Sequence, residues 1–573
     1  MTTLVILRFL GIFAAYTGVT LALPALMFRR ILRGRSLAEQ FLMCYTFGNF
    51  YIINIVFLLQ LLHISNFFML AGLTVVLSIV IGGRVNRIPL KQQAGNTWHL
   101  FGKLLRGRMK LKSAIFLFLG KCAEGIKRLV KFFYRHIVKN PIQSMLLLGI
   151  GVCLCWIYGR QIILVYGYRA SDIPVHMSWI NEMSRGKIFA KGVYPFGFHC
   201  MIYYLHAVFR FDTYVILCQF FFAQVIFMHL VLLAMLKQLC KTKYIPYIGT
   251  FVFLLGNFWS GQTYSRFYAT LPQEFGMIFV IPSIYFLIRF FQIPKQKLAD
   301  KETRLTLQCF AMAFSLTLAI HFYGTMIAGL CCIGIACGFC FRFLRKEYFR
   351  RIMFTGICSV FLAVLPMGIA FATGTPLQGS LGWGLSVING GKSSSSTETE
   401  AETDEAETLE VSTGDDKNTV RVVKPDGTVM EIDVSDLPSA QENESGGQTQ
   451  TETTAPAVPK VSFGEKIRKI PGKAKNALSE MSSRILEFII KLDVKNIGYM
   501  ILASFALLLL LGLVFCIFRQ PGYGAMLMSM GFCMWIVTIL LCAGVFGLPP
   551  LMDGARCSIY YVYLLSAALT ALA

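Results

Sequence analysis

The sequence predicts an all-α polytopic membrane protein, and three observations carry that prediction. Of its 573 residues, 55% are hydrophobic and only 15% are charged. The mean hydropathy is +0.61. The apolar residues are gathered into runs close to the roughly 20 residues that a helix needs to cross a bilayer. Together these exclude a soluble enzyme. The formal net charge of +24 does not point to nucleic acid, because most Lys and Arg residues stand in short stretches between apolar runs, where retention of positive loops in the cytoplasm puts them. Membrane lipids are the expected partners of that charge.

About thirteen runs meet or approach the spanning length: 3–27, 39–62, 66–83, 142–166, 211–236, 244–259, 275–292, 305–321, 322–342, 352–373, 498–518, 522–545 and 557–573. The first lacks a small-residue cleavage site and leads directly into Arg29-Arg30-Ile31-Leu32-Arg33-Gly34-Arg35, so it reads as a retained span. If all thirteen cross, the basic clusters Arg29 to Arg35, Lys237 to Lys243, Lys295 to Arg304 and Arg342 to Arg351 share one face. The positive-inside effect makes that face cytoplasmic, within a cytoplasmic (plasma) membrane of bacterial type.

Four regions follow. Residues 1–141 form a three-helix membrane module with a basic cytoplasmic segment, in which 84–139 carries the single acid Glu124 and an apolar stretch, Ala114 to Leu119, too short to span. An interfacial amphipathic helix is expected there. Residues 142–373 form a membrane core. Residues 374–497 form a long outer loop: Ser393 to Pro459 is rich in Ser, Thr, Glu, Asp and Gly and is expected to be mostly disordered. Within it, 419–423 and 428–434 alternate about Lys424-Pro425-Asp426-Gly427 like a small hairpin. Val461 to Asn496 turns basic and amphipathic. Residues 498–573 carry the last helices of the core and, stopping in an apolar run, read as a truncated end.

Seventeen cysteines invite a disulfide or zinc reading, but none lies in 374–497 and most lie inside apolar runs. Cys337-Gly338-Phe339-Cys340 is explained by packing within a membrane helix. No Walker loop, dinucleotide fingerprint or His-Glu-x-x-His motif is present, which speaks against an ATP-driven transporter and a membrane metalloprotease.

Polar residues at the edge of hydrocarbon are costly to place and are therefore functional candidates. With the topology drawn, they collect on the outer face. Asp172, His176, Trp179, Tyr194 and His199 follow the fourth span; Arg266, Gln273 and Glu274 form the next outer loop; His321 and Tyr323 make a tight turn; Asp553 and Arg556 lie in the last outer loop. Each has a structural alternative. Asp172 precedes a short helix, Ile173 to Arg185, with Pro174 in its first turn, and capping would explain it. His199 and His206 suit an interface, Glu274 suits a helix N-terminus, and Arg266 and Arg556 suit snorkelling to headgroups. The clustering of four loops is what a membrane-surface active site requires.

The element Asp172-Ile173-Pro174-Val175-His176-Met177-Ser178-Trp179-Ile180, followed by Tyr194-Pro195-Phe196-Gly197-Phe198-His199, resembles the GT-C superfamily of integral membrane glycosyltransferases, most of all its bacterial members. The resemblance covers roughly 142–573 and implies a catalytic acid in the first outer loop, a polyprenyl-phosphate-linked sugar as donor, and an envelope glycan, lipid or protein as acceptor. Asp172 is then the general base, with His176 orienting the acceptor or sharing the proton. Arg266, Arg556 and His321 would stabilise the departing phosphate, and Trp179 and Tyr194 would stack on a sugar face. A single acid implies inversion. No second acid adjoins Asp172, unlike the pairs of several members, so the pattern leaves open whether a divalent metal (Mg or Mn) takes part. The alternative of another class is a transporter or flippase of lipid-linked saccharide, in which the same cluster binds a headgroup without chemistry.

Overall fold

The computed structural model describes residues 2–87, 111–165, 167–259, 264–379, 410–413, 419–423, 429–433, 463–490, 496–518, 520–549 and 551–573, with isolated positions between 95 and 106. Among the described residues eleven helices are long and apolar enough to cross a membrane: α1 (Thr2–Met27), α2 (Leu37–Leu61), α3 (Phe67–Asn86), α5 (Pro141–Leu164), α8 (Thr213–Leu239), α10 (Pro272–Gln292), α11 (Lys301–Ile320), α13 (Lys346–Ala372), α15 (Asn496–Ile517), α16 (Pro521–Leu541) and α17 (Gly554–Leu572). Two of the expected runs appear as shorter apolar helices, α9 (Ile245–Trp259) and α12 (Phe322–Gly338). The longer of the remaining helices among the described residues are α4 (Leu111–Lys139), α6 (Ile173–Ser184), α7 (Gly197–Phe209) and α14 (Phe463–Phe488). The chain is thus a multi-pass helical membrane protein.

Local signals set the helix starts. The side chains of Ser36, Asn66 and Asp212 accept hydrogen bonds from the backbone N–H groups of Glu39, Met69 and Val215, while Pro141, Pro174, Pro272 and Pro521 occupy first turns where no intrahelical donor is needed. Burial ranks the helices. The apolar windows of α8 and α10 are 89% and 94% buried, against 22% for α3 and α5, so the first two form the centre and the others face lipid. Helix α8 touches α1, α2, α7, α9, α10 and α17, which joins the N-terminal helices and the last helix to one body.

Small residues let the later helices approach closely. A Cβ on Gly334 would lie 2.7 Å from the Cys533 backbone nitrogen, and one on Gly338 would lie 2.5 Å from that of Ser529. Such interfaces are held by packing, since lipid tails provide no hydrophobic drive between helices.

Residues 386–470 form a separate unit. The expected hairpin is found there: β2 (Thr419–Val423) pairs antiparallel with β3 (Val429–Asp433), Val420 opposite Ile432. Its turn, 424–428, lies outside the described residues, as does most of the stretch expected to be disordered. A third strand, β1 (Glu410–Thr413), pairs with β2 and was not legible as a strand, yet three strands are what an isolated hairpin needs for independent stability. Apart from an isolated bridge between Val193 and Leu377, the described part of the membrane body is helical, and the sheet lies in the long loop where the hairpin was expected.

Candidate functional site

The site is organised around α6. Asp172 stands at its N-cap position but makes no side-chain cap hydrogen bond, so helix capping does not account for its carboxylate. The residue is exposed and accepts instead from the Ser171 hydroxyl at 3.2 Å. Ile173, His176, Trp179, Ile180 and Met183 form the buried face of α6, at the three- and four-residue spacing of one helical side.

That face meets the segment entering α7. The rings of Trp179 and Phe196 stack at 5.4 Å and 17°, and Tyr194 and His199 lie 5.5 and 5.2 Å from the Trp179 ring. His176 Nδ1 and His199 Nε2 share a hydrogen bond of 3.1 Å. The position of the whole segment depends on Gly197: a Cβ there would lie 2.8 Å from the Ala319 carbonyl oxygen and 2.9 Å from Ile320 Cγ1. Glycine therefore brings the Tyr194–His199 element against the end of α11, beside the His321 turn, and the Tyr194 and His321 rings stand 6.4 Å apart, edge to face.

The remaining loops close on the same place. Arg266 Nε donates to Glu274 Oε1 at 2.6 Å, and Glu274 in the first turn of α10 is 1% exposed with its second oxygen lacking a protein partner among the described residues. Gln273 Nε2 donates to the Arg556 carbonyl at 3.4 Å, which ties α10 to the start of α17. The Arg556 guanidinium lies 5.8 Å from the centre of the Tyr323 ring, and the Tyr323 backbone N–H donates to His321 Nδ1 at 3.3 Å. Asp172 acts electrostatically on His176, Tyr194 and Arg266; Arg556 acts on Tyr194 and His321.

Eleven of the twelve residues singled out in the sequence are thus brought together. Asp553 is not: it is exposed at the N-cap position of α17, makes no side-chain cap hydrogen bond, and no hydrogen bond or ion pair ties its carboxylate to the others. His206 donates or accepts locally with the Phe211 carbonyl at 2.8 Å, the structural alternative.

The electrostatics keep the imidazoles neutral. Burial pushes His176 down to about 4, Asp172 opposing and Arg266 assisting. Burial and then the neighbouring His176 push His199 well below the ordinary histidine value. Burial, followed by Arg556, His176 and Arg266, pushes His321 down to about 3. Burial raises Tyr194 to about 12 against the pull of Arg556. For Arg266, burial opposes the charge and the Glu274 carboxylate outweighs it, so the guanidinium stays ionised. Among the described residues no group of three or more His, Cys, Asp or Glu side chains is disposed to hold a metal ion.

Three features escaped the sequence reading. Tyr560 interacts with Glu274, Arg266 and Tyr194; it lies four residues after Arg556, and that spacing was a usable signal. Gln60 Nε2 donates to the Met183 carbonyl at 2.9 Å, and His63 Nδ1 lies 2.9 Å from the Gly186 carbonyl, so the end of α2 satisfies carbonyls at the end of α6. Val193 forms a parallel bridge with Leu377, with Val193 N–H donating to the Pro376 carbonyl at 2.8 Å, so the start of the long loop is fixed beside Tyr194. No sequence periodicity announces the contacts of Gln60, His63 and Val193.

The basic clusters occupy the helix ends remote from this site. Arg35 pairs with Glu39 at 2.5 Å and with Glu302, Lys295 pairs with Glu347 at 2.6 Å, and the Gln238 amide donates to Ser36 Oγ at 2.6 Å. An apolar groove of about 500 Å³, lined among others by Ile245, Val252, Leu565 and Leu569, runs between α9 and α17 and reaches Tyr264, two residues before Arg266.

The fold and site define a polytopic helical membrane protein with a buried aromatic, histidine and ion-pair cluster at one end of its helices. Comparison with protein-family models, curated proteins and solved structures finds no match for the chain.

Proposed function

We propose that this protein is a membrane glycosyltransferase of the GT-C type, transferring a sugar from a polyprenyl phosphate to an envelope glycan, lipid or protein acceptor on the outer face. The observation that carries the reading is an exposed, uncapped Asp172 within electrostatic reach of Arg266 and of Tyr194, on which Arg556 also acts, across loops distant in sequence. In the reaction the acceptor oxygen attacks the anomeric carbon and its proton passes to the Asp172 carboxylate. The bond from that carbon to the phosphate oxygen breaks, and the departing phosphate takes the bond's electron pair. Arg266, already charged against Glu274, and Arg556 stabilise it. Neutral His176 orients the acceptor, and the Trp179 and Tyr194 rings supply flat apolar faces for a sugar. The groove between α9 and α17 suits the isoprenoid chain, since it is apolar and reaches Tyr264, two residues before Arg266 in the chain. One displacement inverts the anomeric carbon.

Buried polar groups within α8 favour a second reading, transport of a lipid-linked saccharide. Among the described residues neither amide atom of Gln219 has a protein partner, nor does His229 Nε2, and intramembrane polar groups of this kind mark conduction paths. One experiment separates the two. Purified wild type and Asp172→Asn are given a panel of radiolabelled polyprenyl-phosphate sugars, with donor binding followed in parallel. Transfer by the wild type, with binding but no transfer by the variant, is the expected result. Binding by both without transfer from any donor would move the assignment to transport.

A further inference from the structure

We propose that α4 lies along the surface of the membrane and binds anionic phospholipid through a stripe formed by Lys127, Lys131, Arg135 and Lys139. This surface is independent of the glycosyl-transfer reading.

The four cations recur every fourth residue of one continuous helix, Leu111–Lys139, and all four side chains are exposed. Residues four apart lie on one side of a helix, so they form a single row. Beside that row runs an apolar one. Ile115, Leu119, Val130, Tyr134 and Ile137, separated by 4, 11, 4 and 3 residues, fall on one helical face, and each is at least half exposed to solvent. Water is a poor environment for such a face. A bilayer surface satisfies both rows at once, with apolar side chains dipping beneath the headgroups and the cations at phosphate level.

The attachment of α4 puts it where this can happen. It passes through Asn140 into the membrane helix α5, whose Gln143 accepts from the Tyr247 hydroxyl at 3.3 Å, and that hydroxyl accepts from Lys237 Nζ at 2.8 Å. The C-terminal end of α4 therefore stands at the helix ends that carry the basic clusters. Charge chooses the lipid: residues 84–139 contain the single acid Glu124, so the segment complements an anionic leaflet. A soluble acidic partner would leave the apolar row without a purpose, and a zwitterionic surface would leave the cationic row without one.

The test uses the full chain in nanodiscs of equal parts phosphatidylglycerol and phosphatidylcholine, with p-benzoylphenylalanine in place of Leu119. After irradiation, adducts are identified by mass spectrometry. Lipid adducts are expected, with phosphatidylglycerol several-fold over phosphatidylcholine, and the preference should shrink at 0.5 M salt as screening shortens the reach of the charges (the Debye length is about 3 Å at 1 M). Replacing Lys127, Lys131, Arg135 and Lys139 by Gln should bring the ratio to one while lipid adducts persist. Adducts to protein, no adducts, or an unbiased lipid ratio in the unsubstituted stripe would each overturn the proposal, and the salt series decides even where the fourfold variant misfolds.

Discussion

His176 Nδ1 and His199 Nε2 lie 3.1 Å apart, and each ring is buried, so one imidazole must donate to the other. His199 Nδ1 has no protein partner among the described residues. An unpaired buried acceptor is tolerated better than an unpaired buried N–H. The proton of His199 therefore sits on Nε2 and is donated to His176 Nδ1, which leaves the proton of His176 on Nε2.

This pair makes stability pH-dependent. His176 is held at about 4 in the folded protein and titrates near 6.5 when unfolded, so between these values the unfolded state binds more protons and stability rises with pH. The penalty is absent above about pH 7 and grows as pH falls toward 4, reaching roughly 3 kcal/mol for this one group. His321, held at about 3, acts in the same direction. Thermal unfolding in detergent should show a lower Tm at pH 5 than at pH 7, and His176→Gln should flatten the difference. An unchanged slope in the variant would remove His176 as its source.

The Arg266–Glu274 pair predicts an asymmetric mutant cycle. Arg266→Leu leaves a carboxylate that is 1% exposed without its counter-charge, and loss of one partner of a buried pair costs about 3–5 kcal/mol. Glu274→Leu should cost less, because the Arg266 side chain is 31% exposed and water can solvate it. The double variant should recover part of the loss. Additive losses in denaturation would show the two side chains to be uncoupled.

Gly197→Ala should destabilise by about 1–3 kcal/mol, as overpacking does, because its methyl meets the Ala319 backbone at 2.8 Å. Gly329→Ala is the control, since nothing lies within 4 Å of its Cβ position. Equal Tm values for the two variants would refute the close approach.

The contacts from α2 predict that the N-terminal helices hold the site in place. Gln60→Leu and His63→Ala each remove a hydrogen bond worth about 0.5–1.5 kcal/mol from the end of α6. Limited trypsin digestion should then cut faster at Arg185, Lys187 and Lys191 in the variants than in the wild type. Unchanged cleavage would mean that the first helices do not support α6.

Gathering of the candidate residues at one end of the bundle was legible because spans alternate in direction: once the runs were counted, Asp172, Glu274, His321 and Arg556 had to share a face. Their pairing was not legible. That Glu274 takes Arg266, that Arg556 takes the Tyr323 ring, and that Asp553 stays outside depend on side-chain directions at helix ends separated by up to hundreds of residues.

By itself the sequence determined the class, because a bilayer forces backbone polar groups into helices of fixed minimum length, and hydropathy reports those lengths directly. It also determined the β2–β3 pairing, since alternation and a Pro-Asp-Gly turn are local signals. Only the tertiary structure decided that Asp172 is not a helix cap, that Gly197 is a point of close approach to Ala319, and that Gln60 and His63 belong to the support of α6. Each of these depends on how helices cross and at what height, which is fixed by packing across the whole body and leaves no periodic trace in any one segment.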